Sequence, residues 1–181
     1  ILQDDAFPTI VTAVEQGRVI FQNIRKFVIY LLSGNVGEIL AVAAATIVAA
    51  PLPLLPLQIL YLNMINDVFP ALALGIGGSH GKVMDRPPRD PKEPIITRYH
   101  WAEIAGYGLL ISITVLGAFY LAYNWLGLDQ TGAVTVSFLT LSISRLVHVF
   151  NMRSPDTGIF DNEITRNLYM WSAIVLSVGL L

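Results

Sequence analysis

The sequence contains no cysteine, which excludes a disulfide framework and thiolate metal sites. Charge is scarce too: Asp, Glu, Lys and Arg make up 13% of the 181 residues, where soluble domains carry about a quarter. The net charge of −2 offers no basic footprint for nucleic acid, so no nucleic-acid partner is expected. No basic n-region or cleavage site precedes an apolar run, and the chain starts at Ile1 rather than Met. It therefore reads as part of a longer polypeptide, not as a secreted protein. Internal repeats and low-complexity tracts are missing, and so is the inverted repeat of many secondary transporters. What the chain has instead is apolar surface, with 54% of its residues hydrophobic.

A helix needs about 20 apolar residues to cross a bilayer core. Five runs approach that length, at about 27–50, 57–76, 101–126, 134–152 and 168–181. The fold class is therefore an all-α membrane protein with five predicted transmembrane helices, the last still apolar where the chain stops. Pro51, Pro53 and Pro56 make a short uncharged link between the first two spans, which must then be antiparallel neighbours. Residues 127–132 make a second short link, between spans three and four. Residues 77–98 form a long polar loop whose proline density favours extended backbone.

Basic residues set the expected orientation. Arg18, Arg25 and Lys26 precede span one. Lys82, Arg86, Arg89, Lys92 and Arg98 lie between spans two and three, and Arg153 and Arg166 between spans four and five. The other two links carry none, which places the N-terminus in the cytoplasm. Trp101 and Trp125 mark opposite ends of span three, as interfacial anchors do. Ahead of span one, Ile10, Val14, Ile20, Phe21 and Ile24 alternate with Glu15, Arg18 and Arg25. This is the pattern of an amphipathic stalk helix running straight into the membrane. Two domains follow: 1–26, the stalk and what precedes it, and 27–181, the transmembrane part.

Polar groups at mid-span depth carry the functional expectation. Glu38 lies near the middle of span one and Asp67 near the middle of span two. A charged side chain there costs about 2.5–3.5 kcal/mol on insertion scales, so such residues face partners. Asn35 precedes Glu38 by three and Asn63 precedes Asp67 by four, each pair on one helix face; Asn66 is adjacent. These hard oxygen donors suit a cation such as calcium or sodium, or a proton, and disfavour soft metals. Pro70 removes a backbone hydrogen bond near Asn66, and carbonyls freed that way can ligate an ion. The alternative is that the amides and acids only hydrogen-bond helices together. Arg145, in the inner half of span four, has two readings. It lies about 10 Å from the cytoplasmic end at helical rise, so it either snorkels outward or serves as counter-charge to Glu38 or Asp67. His148, one turn on, reads as a packing or hydrogen-bonding residue.

At these residues the chain resembles the C-terminal half of a type II P-type cation-transporting ATPase, in the calcium-pump branch. Asp4-Asp5-Ala6-Phe7, Thr9-Ile10-Val11 and Glu15-Gln16-Gly17-Arg18 resemble the end of the family's phosphorylation domain and its stalk. Asn35-Val36-Gly37-Glu38 resembles the fifth transmembrane helix, and Asn63-Met64-Ile65-Asn66-Asp67 with Pro70-Ala71 the sixth. Met84-Asp85-Arg86-Pro87-Pro88-Arg89 and Pro91-Lys92-Glu93-Pro94 resemble the loop that follows. The resemblance implies that Asn35 and Glu38 ligate the first calcium site of a two-site pump, that Asn63 serves the second, and that Asp67 bridges both. Asn66 replaces a typical Thr. Arg145 replaces a ligating Glu of the eighth helix, and a fixed positive charge there makes one transported ion per cycle the expectation. Calcium is then the transported ligand. ATP and magnesium belong to the parent only, because the chain has no Asp-Lys-Thr-Gly motif, nucleotide-binding loop or Pro-Glu helix break and cannot hydrolyse ATP alone. Expected partners are the lipid bilayer and the missing cytoplasmic and N-terminal transmembrane parts of the same polypeptide. Competing expectations are a proton or monovalent-cation pump of the same superfamily, a passive channel, and a non-catalytic membrane anchor.

Overall fold

A computed structural model describes residues 7–78, 83–85, 87–88, 90, 92–154 and 157–181. The Asp4-Asp5-Ala6 motif and Lys82, Arg86, Arg89 and Pro91 lie outside the described residues. Stalk and first span are one helix, α1 (Phe7–Ile47, 41 residues), which passes residue 26 without a break. It stops three residues short of the expected end. Ala49 there takes a left-handed φ of 53°, and the prolines that follow cannot continue a helix.

The second span has three parts: α2 (Pro56–Leu62), a π-helical turn (Asn63–Asp67) and α3 (Val68–Gly75). Pro56 sits in the first turn of α2, where its lack of an N–H is harmless. Pro70 lies in α3 and cannot donate to the carbonyl of Asn66, four residues back. The wide turn falls where that bond is lost. The freed carbonyl is no open ligand, however. It accepts a 2.7 Å hydrogen bond from the hydroxyl of the buried Tyr30 on α1. A buried carbonyl is costly unpaired, and here a phenol lies within reach.

The third span is α4 (Arg98–Tyr120), extended by a π turn over Leu121–Trp125. The fourth, α5 (Gln130–His148), continues as a 3₁₀ turn over Val149–Met152. It begins earlier than residue 134 because Asp129 caps it, the carboxylate accepting from Gly132 N at 2.9 Å. The last, α6 (Leu168–Gly179), is a 12-residue apolar helix whose Asn167 caps Tyr169 N and Met170 N. Among the described residues, four helices are long and apolar enough to cross a membrane.

Helices α1 and α4 pack most closely, through glycine. A Cβ on Gly108 would lie 2.6 Å from Val36 Cγ1, and one on Gly37 2.8 Å from Ile111 Cγ2. Small residues let membrane helices approach in this way. Of the three apolar clusters among the described residues, one joins the end of the third span to the start of α5 through Phe119, Ala122, Ala133 and Val134, and the other two hold the bundle around the polar residues. Of these two, one gathers Tyr30, Leu74, Ile104, Val149 and Met170; the other gathers Ala41, Leu54, Leu62, Ile111 and Leu141. Along α1, the second span and α5, the residues between these clusters are 31–40, 63–72 and 142–148. That interval is the polar layer.

The end of α1 nearest the stalk is tied to both flanking loops. Asn23 donates to Gly77 O at 2.6 Å, closing the end of α3. Arg25 donates to Ile95 O at 2.8 Å and pairs with Glu93 at 3.0 Å. Lys26 meets Glu163 at 2.5 Å and Ser154 Oγ at 3.2 Å. Burial works against the Glu163 charge, but the Lys26 and Ser154 hydrogen bonds prevail and bring its pKa down to about 2.

Candidate functional site

Three helices contribute to the polar layer, each for a local reason. Asn35 and Glu38 are three apart on α1 and present their oxygens on one face. Asn63 and Asp67 open and close the π turn, so both reach the same space despite the irregular backbone. Arg145 enters from α5, one turn before its end.

The guanidinium of Arg145 is the centre of the arrangement. Nη1 donates to Glu38 Oε1 at 2.5 Å and to Asn63 Oδ1 at 2.9 Å. Nη2 donates to Asp67 Oδ1 and, at 3.4 Å, to Asn35 Oδ1. The residue is 1% exposed, and Glu38 and Asp67 are buried with it. It does not snorkel. The planar fork of an arginine can hold two carboxylates and two amides at once, which a lysine ammonium cannot do with the same geometry. Two acids and one guanidinium leave the layer with a formal charge of −1.

Asn66 does not join the others. It is fully buried, and its amide nitrogen donates to Ser142 Oγ at 2.7 Å and Ser142 O at 3.3 Å, away from the guanidinium. Five of the six sequence-predicted residues therefore meet in one place, and the sixth fastens the π turn to α5. His148 packs between Tyr30 and Tyr107, with ring centroids 6.0 and 4.5 Å away. Its Nδ1 lies 3.3 Å from Asn151 Nδ2. Three participants were not singled out from sequence: Tyr30, Ser142 and Gly34. Ser142 was findable, because it stands three residues before Arg145. Tyr30 was not, because the carbonyl it satisfies is on another span.

The donors available to a cation are two carboxylates and two or three amide oxygens. No group of three or more His, Cys, Asp or Glu placed to hold a metal ion occurs among the described residues. Such a set favours a hard ion held partly by neutral oxygens. A lateral cavity of about 320 Å³ between α1 and α3, lined by Phe27, Leu31, Val68 and Leu72, reaches Asp67 from its apolar side.

Comparison with known proteins places this geometry in a family. The family model described as "Cation transporting ATPase, C-terminus" matches residues 51–181. The "Calcium-transporting ATPase" of Bacillus subtilis (strain 168) is 42% identical over 181 residues, which is 100% of this chain and 20% of the relative. "Calcium-transporting ATPase 1" of Bacillus cereus (strain ATCC 10987 / NRS 248) is 35% identical over 192 residues, covering 98% of this chain and 22% of the relative. The chain spans about a fifth of the length of these curated relatives.

Proposed function

The chain belongs to the family of cation-transporting ATPase C-terminal regions, and from that premise we propose that it is the ion-binding membrane module of an ATP-driven calcium pump that moves one calcium ion per cycle. The observation that carries this reading is the guanidinium of Arg145 standing between Glu38 and Asp67. The names of the two Bacillus relatives support calcium as the ion.

The ion count follows from electrostatics. One calcium ion brings the layer from −1 to +1, which the surrounding amide dipoles can stabilise. A second would bring it to +3. At an effective dielectric constant of about 20 and a separation of about 5 Å, a dication and a guanidinium repel by about 6–7 kcal/mol. Arg145 thus replaces one cation permanently, and calcium binds beside it at Asp67 and Asn63, which exchange their hydrogen bonds to the guanidinium for the ion while Glu38 stays paired with the arginine.

The remaining parts of the polypeptide would supply phosphorylation by ATP and magnesium, and would drive the helices between inward- and outward-facing arrangements. Stalk motion has a route into the layer, since α1 carries Asn35 and Glu38 on the same continuous helix. Concentration of basic residues at the stalk end of the bundle supports a cytoplasmic N-terminus for this segment.

The test is ATP-driven uptake by the full-length protein in inside-out vesicles. Radioactive calcium should accumulate, and the accumulated calcium should be released by a calcium ionophore. Proton or sodium movement without calcium accumulation would replace this reading by the monovalent-cation pump.

A further inference from the structure

Glycine inside a helix costs about 1 kcal/mol relative to alanine, yet α1 has two in the polar layer: Gly37, which faces α4, and Gly34. Gly34 is buried. A Cβ built on it would lie 2.5 Å from Nη2, 2.6 Å from Nε and 2.8 Å from Cζ of Arg145. No real side chain tolerates three contacts of that kind, so the arginine occupies the volume that a residue other than glycine would fill. Nε supports the same picture from the other side. It is buried and finds no hydrogen-bond partner among the described residues. An NH group held against bare backbone is what a guanidinium seated for its other contacts would accept.

We propose that Gly34 is the positioning residue for Arg145: its missing side chain admits the guanidinium between α1 and the carboxylates, so that glycine at 34 and arginine at 145 work as one unit. The proposal rests on the reading of Arg145 as a built-in counter-charge. It adds that the seat of that charge is specified from α1, through a residue that makes no polar contact of its own.

An alanine at 34 forces the guanidinium to retreat by roughly 0.6–0.9 Å to restore ordinary contact. Glu38, Asn63, Asn35 and Asp67 already hold the group by its two terminal nitrogens. Retreat therefore strains those four contacts, including the ones to Asn63 and Asp67, where the calcium ion is proposed to bind. The far end of a flexible side chain yields more readily than backbone, so the helices stay in place while the charge moves.

The experiment is a mutant cycle in the full-length ATPase. Gly34→Ala is made in the native sequence and in a charge-conserving background, Glu38→Gln with Arg145→Met, which has no guanidinium to displace. Calcium-dependent phosphorylation and thermal unfolding of the detergent-solubilised protein are read for all four proteins. Gly34→Ala should weaken apparent calcium affinity at least tenfold and lower Tm in the native sequence. In the background without the guanidinium it should leave Tm unchanged or raised, as expected of a helical Gly→Ala change. Native-like affinity and Tm in Gly34→Ala would overturn the proposal, as would an equal loss of Tm in both backgrounds, which would make Gly34 a helix-packing residue. Because Tm reports the coupling without any ion, a native protein that shows no calcium dependence would remove the functional reading and leave the Gly34–Arg145 pairing to be judged separately.

Discussion

In the full-length ATPase, Asp67→Asn should abolish calcium-dependent phosphorylation from ATP at calcium concentrations that saturate the native protein. Asp67 stands at the end of the π turn, beside the lateral cavity, with its carboxylate on Arg145. Replacing it with Asn keeps an oxygen and nearly the same volume but takes away one of two negative charges. The layer then has a formal charge of 0 before calcium arrives and +2 afterwards. A unit charge at about 4 Å contributes about 4 kcal/mol at an effective dielectric constant of 20 and twice that toward a dication. Even with most of it offset by desolvation, a loss on the order of 100-fold in affinity follows. Asn63→Ala removes only a neutral oxygen and should weaken binding by about tenfold. Phosphorylation of Asp67→Asn at native calcium affinity would remove Asp67 from the site.

Arg145→Ala should be the most damaging single substitution for stability. It leaves Glu38 and Asp67 buried without their shared cation, and breaking a buried pair from one side costs about 3–5 kcal/mol. The truncation also empties the space against Gly34. The purified protein should show a large drop in Tm or fail to accumulate, and adding Glu38→Gln should restore part of the loss, since one buried negative charge then disappears. Arg145→Lys should fall between, because an ammonium carries the charge but lacks the fork that spans both carboxylates. Thermal unfolding of the single and double variants, followed by size-exclusion chromatography, measures this. An Arg145→Ala protein as stable as the native one would mean that the observed ion pairs hold nothing together.

Much of this architecture was legible in the sequence because membrane helices leave few alternatives. The run from residue 27 had no turn signal before Pro51, and the amphipathic stretch ahead of it shared the helical period, so one continuous α1 followed. The depth of Glu38, Asp67 and Arg145 could be counted from the span ends. Direction could not. Spacing placed Arg145 in the inner half of its span but did not decide between the interface and the carboxylates, because α5 could be rotated either way until its packing against α1 was known. The direction of Asn66 was not legible either, since adjacency to Asp67 does not fix which way a side chain points and the wide turn before Pro70 changes the angle at which each leaves the axis. Gly34 was invisible as a site residue, since a missing side chain acquires meaning only when another helix fills its place. The ends of α1 and α5 shifted by a few residues, where caps and a left-handed Ala49 override hydropathy.

The central claim, that Arg145 stands in for one cation, is tested most directly by equilibrium binding of radioactive calcium to the purified full-length protein, normalised to the amount of phosphoenzyme it can form. The account predicts about one calcium ion per phosphorylation site, bound with a Hill coefficient near one. Two ions per site, bound cooperatively by the native protein, would contradict it.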